Sequence, residues 1–177
     1  MSVALQHADL FLPPGGLWFG AAPARVRTLL GSCVAMTVWY PERRLGGMCH
    51  FMLPGHGSGA AGIAPDGRYG GAAMAWLLRR MLAVHGDRAA WHVKLFGGGA
   101  MFPPHEGSKA APWMQVHRRN VEYACRFVSL HRLTVTAQDL GGLGHRSLVF
   151  ELASGDVWVR HTRLTSDPPM SLEREAA

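Results

Sequence analysis

Two apolar segments of the chain decide the fold. They read Thr28-Leu29-Leu30-Gly31-Ser32-Cys33-Val34-Ala35-Met36 and Gly46-Gly47-Met48-Cys49-His50-Phe51-Met52-Leu53-Pro54. Residues 34–40 are rich in β-branched and aromatic side chains and end at a proline, which predicts a buried strand. A turn then leads into residues 45–53, which predicts an adjacent strand. A thiol and an imidazole are therefore expected on neighbouring apolar strands.

The rest of the chain predicts an α+β fold. Apolar residues recur at helical spacing over residues 74–85, and a second helix is expected from Asn120, as its N-cap, to Val128. Further strands are predicted at residues 91–96, 133–137, 147–152 and 157–161, the last two as a hairpin. So many strands with two helices favour mixed or antiparallel sheets packed as a sandwich with flanking helices. We expect one domain over residues 1–165 and a disordered tail over residues 166–177.

Composition excludes several classes of protein. The 177 residues are 48% hydrophobic, which suits one globular core, and three cysteines do not form a disulfide framework. No signal peptide is recognisable and no apolar run approaches the ~20 residues of a membrane span, so we expect a cytoplasmic protein without membrane insertion. The net charge of +6 is compatible with an acidic partner or an anionic surface. Its basic residues are scattered, which argues against nucleic-acid binding.

Cys33 and His50 are the candidate reactive groups. A lone cysteine in an apolar strand is usually a small hydrophobe, and a lone buried histidine is usually hydrogen-bonded to the backbone. Together, however, an imidazole of near-neutral pKa can take the thiol proton, and the thiolate can attack an acyl carbon. Alternation along the second strand places Met48, His50 and Met52 on one face and Cys49 on the other, so Cys49 is expected to be structural.

A third group normally orients the imidazole or completes the acyl pocket. The sequence alone leaves several candidates open, namely Thr28, Ser32, Asn120, Asp139 and His145. The turn at Gly31 and Ser32 is the expected source of backbone N–H groups for an oxyanion. The glycine clusters at residues 97–99 and 141–144 complete neither a phosphate loop nor a dinucleotide fingerprint. CxxC and HExxH spacings are absent, so we expect no metal and no cofactor.

The ordered motifs resemble the CheD family of chemoreceptor glutamine deamidases over residues 10–162. The resemblance rests first on Leu30-Gly31-Ser32-Cys33-Val34-Ala35 and on residues 47–54. Further matches follow in order at Tyr69-Gly70, Ala73-Met74, Lys94-Leu95-Phe96-Gly97-Gly98, Met101, Arg119-Asn120, Asp139-Leu140-Gly141-Gly142, Arg146 and Phe150.

The resemblance implies hydrolysis of glutamine side-chain amides on chemoreceptor helices, with release of ammonia, in chemotactic adaptation. It implies that Cys33 is the nucleophile, His50 the general base and Thr28 the third member. It also implies a sandwich fold like that of toxin deamidases, chemoreceptor helices as substrate, and in some organisms a CheC-like phosphatase as partner.

Two other functions compete with this interpretation. In the first, the domain is a non-catalytic module that binds receptor helices or a phosphatase, and Cys33 is part of the packing. In the second, the chain is another thiol acyl hydrolase, such as a peptidase or a transglutaminase-like enzyme. The chemistry of the product separates these possibilities.

Overall fold

A computed structural model describes residues 8–57, 65–102 and 115–164. Within these ranges the chain forms nine strands and two α-helices. The strands are β1 (Ala8–Phe11), β2 (Leu17–Ala21), β3 (Ala24–Leu30), β4 (Val34–Tyr40), β5 (Leu45–Phe51), β6 (His92–Gly97), β7 (Val135–Leu140), β8 (His145–Glu151) and β9 (Val157–Thr162). The helices are α1 (Gly70–Val84) and α2 (Val116–Leu130).

The strands form two mixed sheets, which confirms the predicted α+β class. The five-stranded sheet has the order β2-β5-β4-β6-β7, and its only parallel pair among the described strands is β6 with β7. The four-stranded sheet has the order β1-β3-β8-β9, in which β1 and β3 are parallel. The predicted hairpin is present as the antiparallel pair β8 and β9.

Two apolar cores give the molecule its layers. The first lies between the sheets and joins side chains of both, among them Val26, Leu30, Ala35, Met48, Phe96, Leu148 and Phe150. The second lies between the five-stranded sheet and the two helices, and includes Met36, Val38, Cys49, Phe51, Met74, Leu77 and Phe127. Each large side chain buried in this way contributes about 1.5–3 kcal/mol of transfer free energy. The five-stranded sheet is therefore covered on both faces.

The apolar stretch around Cys33 is not one strand, contrary to the sequence-based expectation. β3 ends at Leu30 in the four-stranded sheet, and β4 begins at Val34 in the five-stranded sheet. The intervening Gly31 and Ser32 form a bend where the chain crosses from one sheet to the other. Cys33 thus lies in the crossover and not in a strand.

The second helix begins earlier than predicted. Its N-cap is Gln115, and Asn120 lies inside α2 and is fully buried. The expectation that Asn120 caps the helix was wrong because the preference of asparagine for N-caps is a local tendency, and here tertiary hydrogen bonds hold the side chain.

The expected tail at residues 166–177 lies outside the described residues. No helix within the described ranges has the length and apolar character that a membrane crossing requires.

Candidate active site

His50 lies near the end of β5, with its ring directed into the layer between the two sheets. Its strand neighbour Met48 belongs to the core between the sheets, whereas Cys49 and Phe51 pack toward the helices. The predicted alternation is therefore confirmed, and Cys49 is a buried core residue. Burial raises the pKa of the Cys49 thiol to about 12, which leaves it protonated and unreactive at neutral pH.

Thr28 contacts the His50 ring from the opposite sheet. The Thr28 hydroxyl lies 2.8 Å from His50 Nδ1 and donates its hydrogen to the Leu12 carbonyl at 2.7 Å. With the hydroxyl hydrogen directed to Leu12, Thr28 Oγ1 is left as the acceptor for His50 in the tautomer that carries its hydrogen on Nδ1. A neutral ring then carries its hydrogen on Nδ1 and an unshared pair on Nε2. Thr28 is thus the candidate third member that contacts His50.

His50 is a neutral base in this structure. Burial lowers its pKa to about 4, and the Leu12 carbonyl opposes the shift only in part. The sequence predicted a near-neutral pKa, and this was wrong because the ring is enclosed by both sheets. His50 Nε2 is buried and has no hydrogen-bond partner within the part of the chain that is described. The atom that would accept a proton is therefore available.

Cys33 lies just before the strand segment that pairs with the end of β5. Ala35 on β4 is paired with His50 on β5, and Cys33 precedes Ala35 by two residues. The Cys33 side chain packs against the core between the sheets, on the side that the His50 ring faces, and is only partly buried.

The glycine cluster after β6 holds the backbone around Cys33. The N–H groups of Gly98 and Gly99 donate to the carbonyls of Cys33 and Gly31, at 2.7 and 2.8 Å. Gly97 has φ of +108°, and a Cβ there would collide with the Cys33 carbonyl. Residues 97–99 therefore serve as a support for the cysteine crossover.

The thiol of Cys33 is protonated at rest. Desolvation raises its pKa, while its own backbone N–H and the Ser32 hydroxyl lower it in part. Burial thus disfavours the charged form of both groups, the thiolate of Cys33 and the imidazolium of His50. The two lowering contacts also place hydrogen-bond donors close to the sulfur. One of these donors is the backbone N–H of Cys33 itself, at the end of the Gly31-Ser32-Cys33 segment.

Asn120 is part of the site in a way that the sequence did not reveal. Its amide nitrogen donates to the Ser32 carbonyl at 2.9 Å and to the Met52 carbonyl at 2.8 Å. These carbonyls precede Cys33 and follow His50 in the chain. A polar residue in the middle of an amphipathic helix was the available signal, but it does not reveal the partners.

Asp139 and His145, the two remaining candidates for the third group, have other contacts. The carboxylate of Asp139 accepts a hydrogen bond from Arg146 at 2.7 Å, and this ion pair lowers the pKa of Asp139. His145 begins β8, opposite Thr162 on β9. Across the described ranges, no group of three His, Cys, Asp or Glu side chains is arranged to hold a metal ion.

Exposed apolar side chains follow β5 and the glycine cluster at residues 97–99, the two segments next to the site. Met52 and Leu53 directly follow β5 and are about one-third exposed, and Met101 contacts Gly31. Phe102, the next residue, is 65% exposed. Such side chains are typical of a surface that binds an apolar partner.

Comparison with known proteins places the chain in a family. The family model described as CheD chemotactic sensory transduction matches residues 52–161. The chain belongs to the CheD family. The curated relatives include a "Probable chemoreceptor glutamine deamidase CheD" of Pseudomonas savastanoi pv. phaseolicola, 46% identical over 177 residues, which are 99% of this chain and 94% of the relative.

Two further CheD relatives carry similar names. A "Probable chemoreceptor glutamine deamidase CheD" of Pseudomonas syringae pv. tomato is 46% identical over 153 residues, covering 86% of this chain and 89% of the relative. "Probable chemoreceptor glutamine deamidase CheD 2" of Albidiferax ferrireducens is 39% identical over 158 residues, with coverage of 89% and 90%. The CheD family model begins at residue 52, so Thr28, Cys33 and His50 precede the span that it matches.

Proposed function

We propose that the protein is a chemoreceptor glutamine deamidase that hydrolyses glutamine side chains to glutamate with Cys33, His50 and Thr28. The observation that carries the proposal is the Thr28–His50 hydrogen bond, which leaves Nε2 unprotonated in the layer that Cys33 faces. Membership of the CheD family and the names of the relatives support this reaction.

In the first half of the reaction, the Cys33 thiol passes its proton to His50 Nε2 as the sulfur attacks the side-chain carbonyl carbon of glutamine. A C–S bond forms, and the carbonyl electron pair moves to oxygen. The Cys33 N–H donates to that oxyanion. His50 then gives its proton to the amide nitrogen, the C–N bond breaks, and ammonia leaves a thioester on Cys33.

In the second half, water hydrolyses the thioester. His50 Nε2 takes a proton from the water while the oxygen attacks the thioester carbon. The C–S bond then breaks and the sulfur regains the proton from His50. The products are the glutamate side chain and free enzyme, so no oxidant, reductant or cofactor enters the balance.

Thr28 determines which ring nitrogen of His50 takes part in the proton transfers. Each transfer uses Nε2, and Thr28 stabilises the Nδ1–H tautomer that presents the unshared pair there. Because both reacting groups are neutral at rest, the thiolate forms only as the substrate is attacked. The half-buried thiol of raised pKa therefore reacts without a buried thiolate in the resting enzyme, where such a charge would be costly.

The surface around the site supports an amphipathic helix as substrate. Met52, Leu53, Met101 and Phe102 offer apolar contacts, and the net charge of +6 suits an acidic partner. Chemoreceptor cytoplasmic helices meet this description, and the cytoplasm is the proposed place of action. A CheC-like phosphatase partner stays a prediction from the family resemblance.

The proposal is tested by incubating the protein with a purified chemoreceptor cytoplasmic fragment. We expect ammonia in solution and, by peptide mass spectrometry, glutamate in place of particular glutamines. A cleaved peptide bond would instead indicate a peptidase. Tight binding of the fragment without ammonia release would indicate a non-catalytic module.

A further inference from the structure

Asn120 connects helix α2 to both chain segments that carry the reacting groups. It is fully buried, and its Nδ2 donates to the carbonyls of Ser32 and Met52. Since both neighbours are carbonyl oxygens, which only accept, the amide nitrogen must face them. One side chain thus holds the residue before the nucleophile and the chain just after the base.

The contact with Ser32 also controls the direction of a backbone N–H. The Ser32 carbonyl and the Cys33 N–H belong to one planar trans peptide, in which the two groups point in opposite directions. When Asn120 holds the carbonyl toward α2, the Cys33 N–H is turned away from α2. That N–H lies close enough to the Cys33 sulfur to lower the thiol pKa.

The contact with Met52 fixes the other half of the site. Met52 follows the last residue of β5, so its carbonyl lies beyond the strand's regular pairing with β4. Holding both carbonyls on one nitrogen sets the spacing between the cysteine crossover and the end of β5. Asn120 itself is anchored because its helix packs on the five-stranded sheet.

The remaining polar atom of Asn120 shows that apolar packing does not explain the residue. Its Oδ1 is buried and has no hydrogen-bond partner within the described ranges. A buried acceptor without a partner destabilises the folded state. An apolar residue at this position of α2 would avoid that cost, but would leave two carbonyls unpaired.

We propose that Asn120 is a positioning residue of the deamidase centre, which sets the Cys33–His50 spacing and directs the Cys33 N–H toward the oxyanion. The inference rests on the proposed function for its catalytic consequence. Its consequence for the environment of the thiol can be measured without any receptor substrate.

The test compares Asn120→Ser and Asn120→Asp with Val128→Ala, all in a Cys125→Ser background. Cys125 is exposed and would otherwise react, and Val128 is a buried residue of the same helix outside the site. Two experiments are carried out at a temperature below the unfolding transition of each variant. The first measures the pH profile of Cys33 alkylation by iodoacetamide. The second measures kcat and KM for ammonia release from the receptor fragment.

We expect both Asn120 variants to move the alkylation profile to higher pH, because the Cys33 N–H no longer supports the thiolate. We expect kcat to fall by up to about 100-fold, the scale of loss when reacting groups are displaced by ~1 Å, with KM unchanged. Val128→Ala should lose thermal stability but keep the wild-type profile and kcat.

Wild-type profiles and kcat in folded Asn120 variants would overturn the inference. So would a complete failure of both variants to fold, since the amide would then be a requirement of the fold. If the unsubstituted protein releases no ammonia, the proposed function fails, and the alkylation profiles still decide whether Asn120 positions the thiol.

Discussion

Thr28 Oγ1 lies 2.8 Å from His50 Nδ1, although the two residues belong to strands of different sheets. The bond crosses the core between the sheets and joins β3 to β5. The base is therefore held by the packing of the sandwich itself. Any change that shifts one sheet against the other alters the orientation of the ring that accepts the Cys33 proton in the proposed mechanism.

The hydroxyl of Thr28, more than its volume, should determine activity. In Thr28→Val the side chain keeps its shape but no longer accepts from His50 Nδ1, so the Nδ1–H tautomer loses its support. We expect kcat for ammonia release to fall roughly 10²-fold, in the range of general-base catalysis, with KM unchanged. Thr28→Ser, which keeps the hydroxyl, is the matched control and should retain most activity. Equal kcat in Thr28→Val and the unsubstituted protein would remove Thr28 from the mechanism.

The neutral state of His50 should make folding stability depend on pH. Its pKa is about 4 in the folded chain and about 6.5 in an unfolded one. Between these values the unfolded chain binds a proton that the folded chain does not, so stability falls as pH falls from 6.5 to 4. The contribution is at most about 1.4 kcal/mol per pH unit.

Urea unfolding from pH 7 to pH 4 checks this dependence. His50→Gln is the comparison, because it removes this titration and leaves every other one in place. We expect the unsubstituted protein to lose more free energy of unfolding than His50→Gln over this range. Parallel pH dependences in the two proteins would contradict a neutral buried His50.

The resting thiol should react slowly with alkylating agents at neutral pH. Desolvation raises the pKa of Cys33, and only the thiolate is nucleophilic. In Cys125→Ser, we expect the iodoacetamide rate to rise about tenfold per pH unit through pH 8.5, the ordinary thiol pKa. A free cysteine in a short peptide serves as control and should level off near its own pKa. A rate that is already constant at pH 7 would instead indicate a thiolate–imidazolium pair.

The sequence predicted the strands that carry and flank His50. The density of β-branched and aromatic residues identified β4, and simple alternation separated His50 from Cys49 on β5. These are local properties, and the pleat of a strand expresses them directly. The same pattern suggested that Cys33 and His50 lie near each other, and their pairing stays a prediction.

The position of Cys33 and the contacts around the site depend on tertiary structure. β3 alternates buried and exposed residues, but it runs into β4 in the sequence with only Gly31 and Ser32 to mark the change of sheet. The lowered pKa of His50 follows from the enclosure of its ring by two sheets. The hydrogen bonds of Asn120 reach partners that are 88 and 68 positions away in the sequence, namely Ser32 and Met52. No local pattern reports such contacts, so the sequence could suggest Thr28 and Asn120 only as candidates.

In the proposed mechanism, Cys33 forms a thioester with the glutamine side chain. The most direct measurement is ammonia release from a chemoreceptor cytoplasmic fragment by Cys33→Ala, with Cys49→Ala as a matched control for a buried cysteine. We expect no ammonia from folded Cys33→Ala and continued release by Cys49→Ala, despite the lower stability of the second variant. Ammonia release by Cys33→Ala at the rate of the unsubstituted protein would rule out Cys33 as the nucleophile.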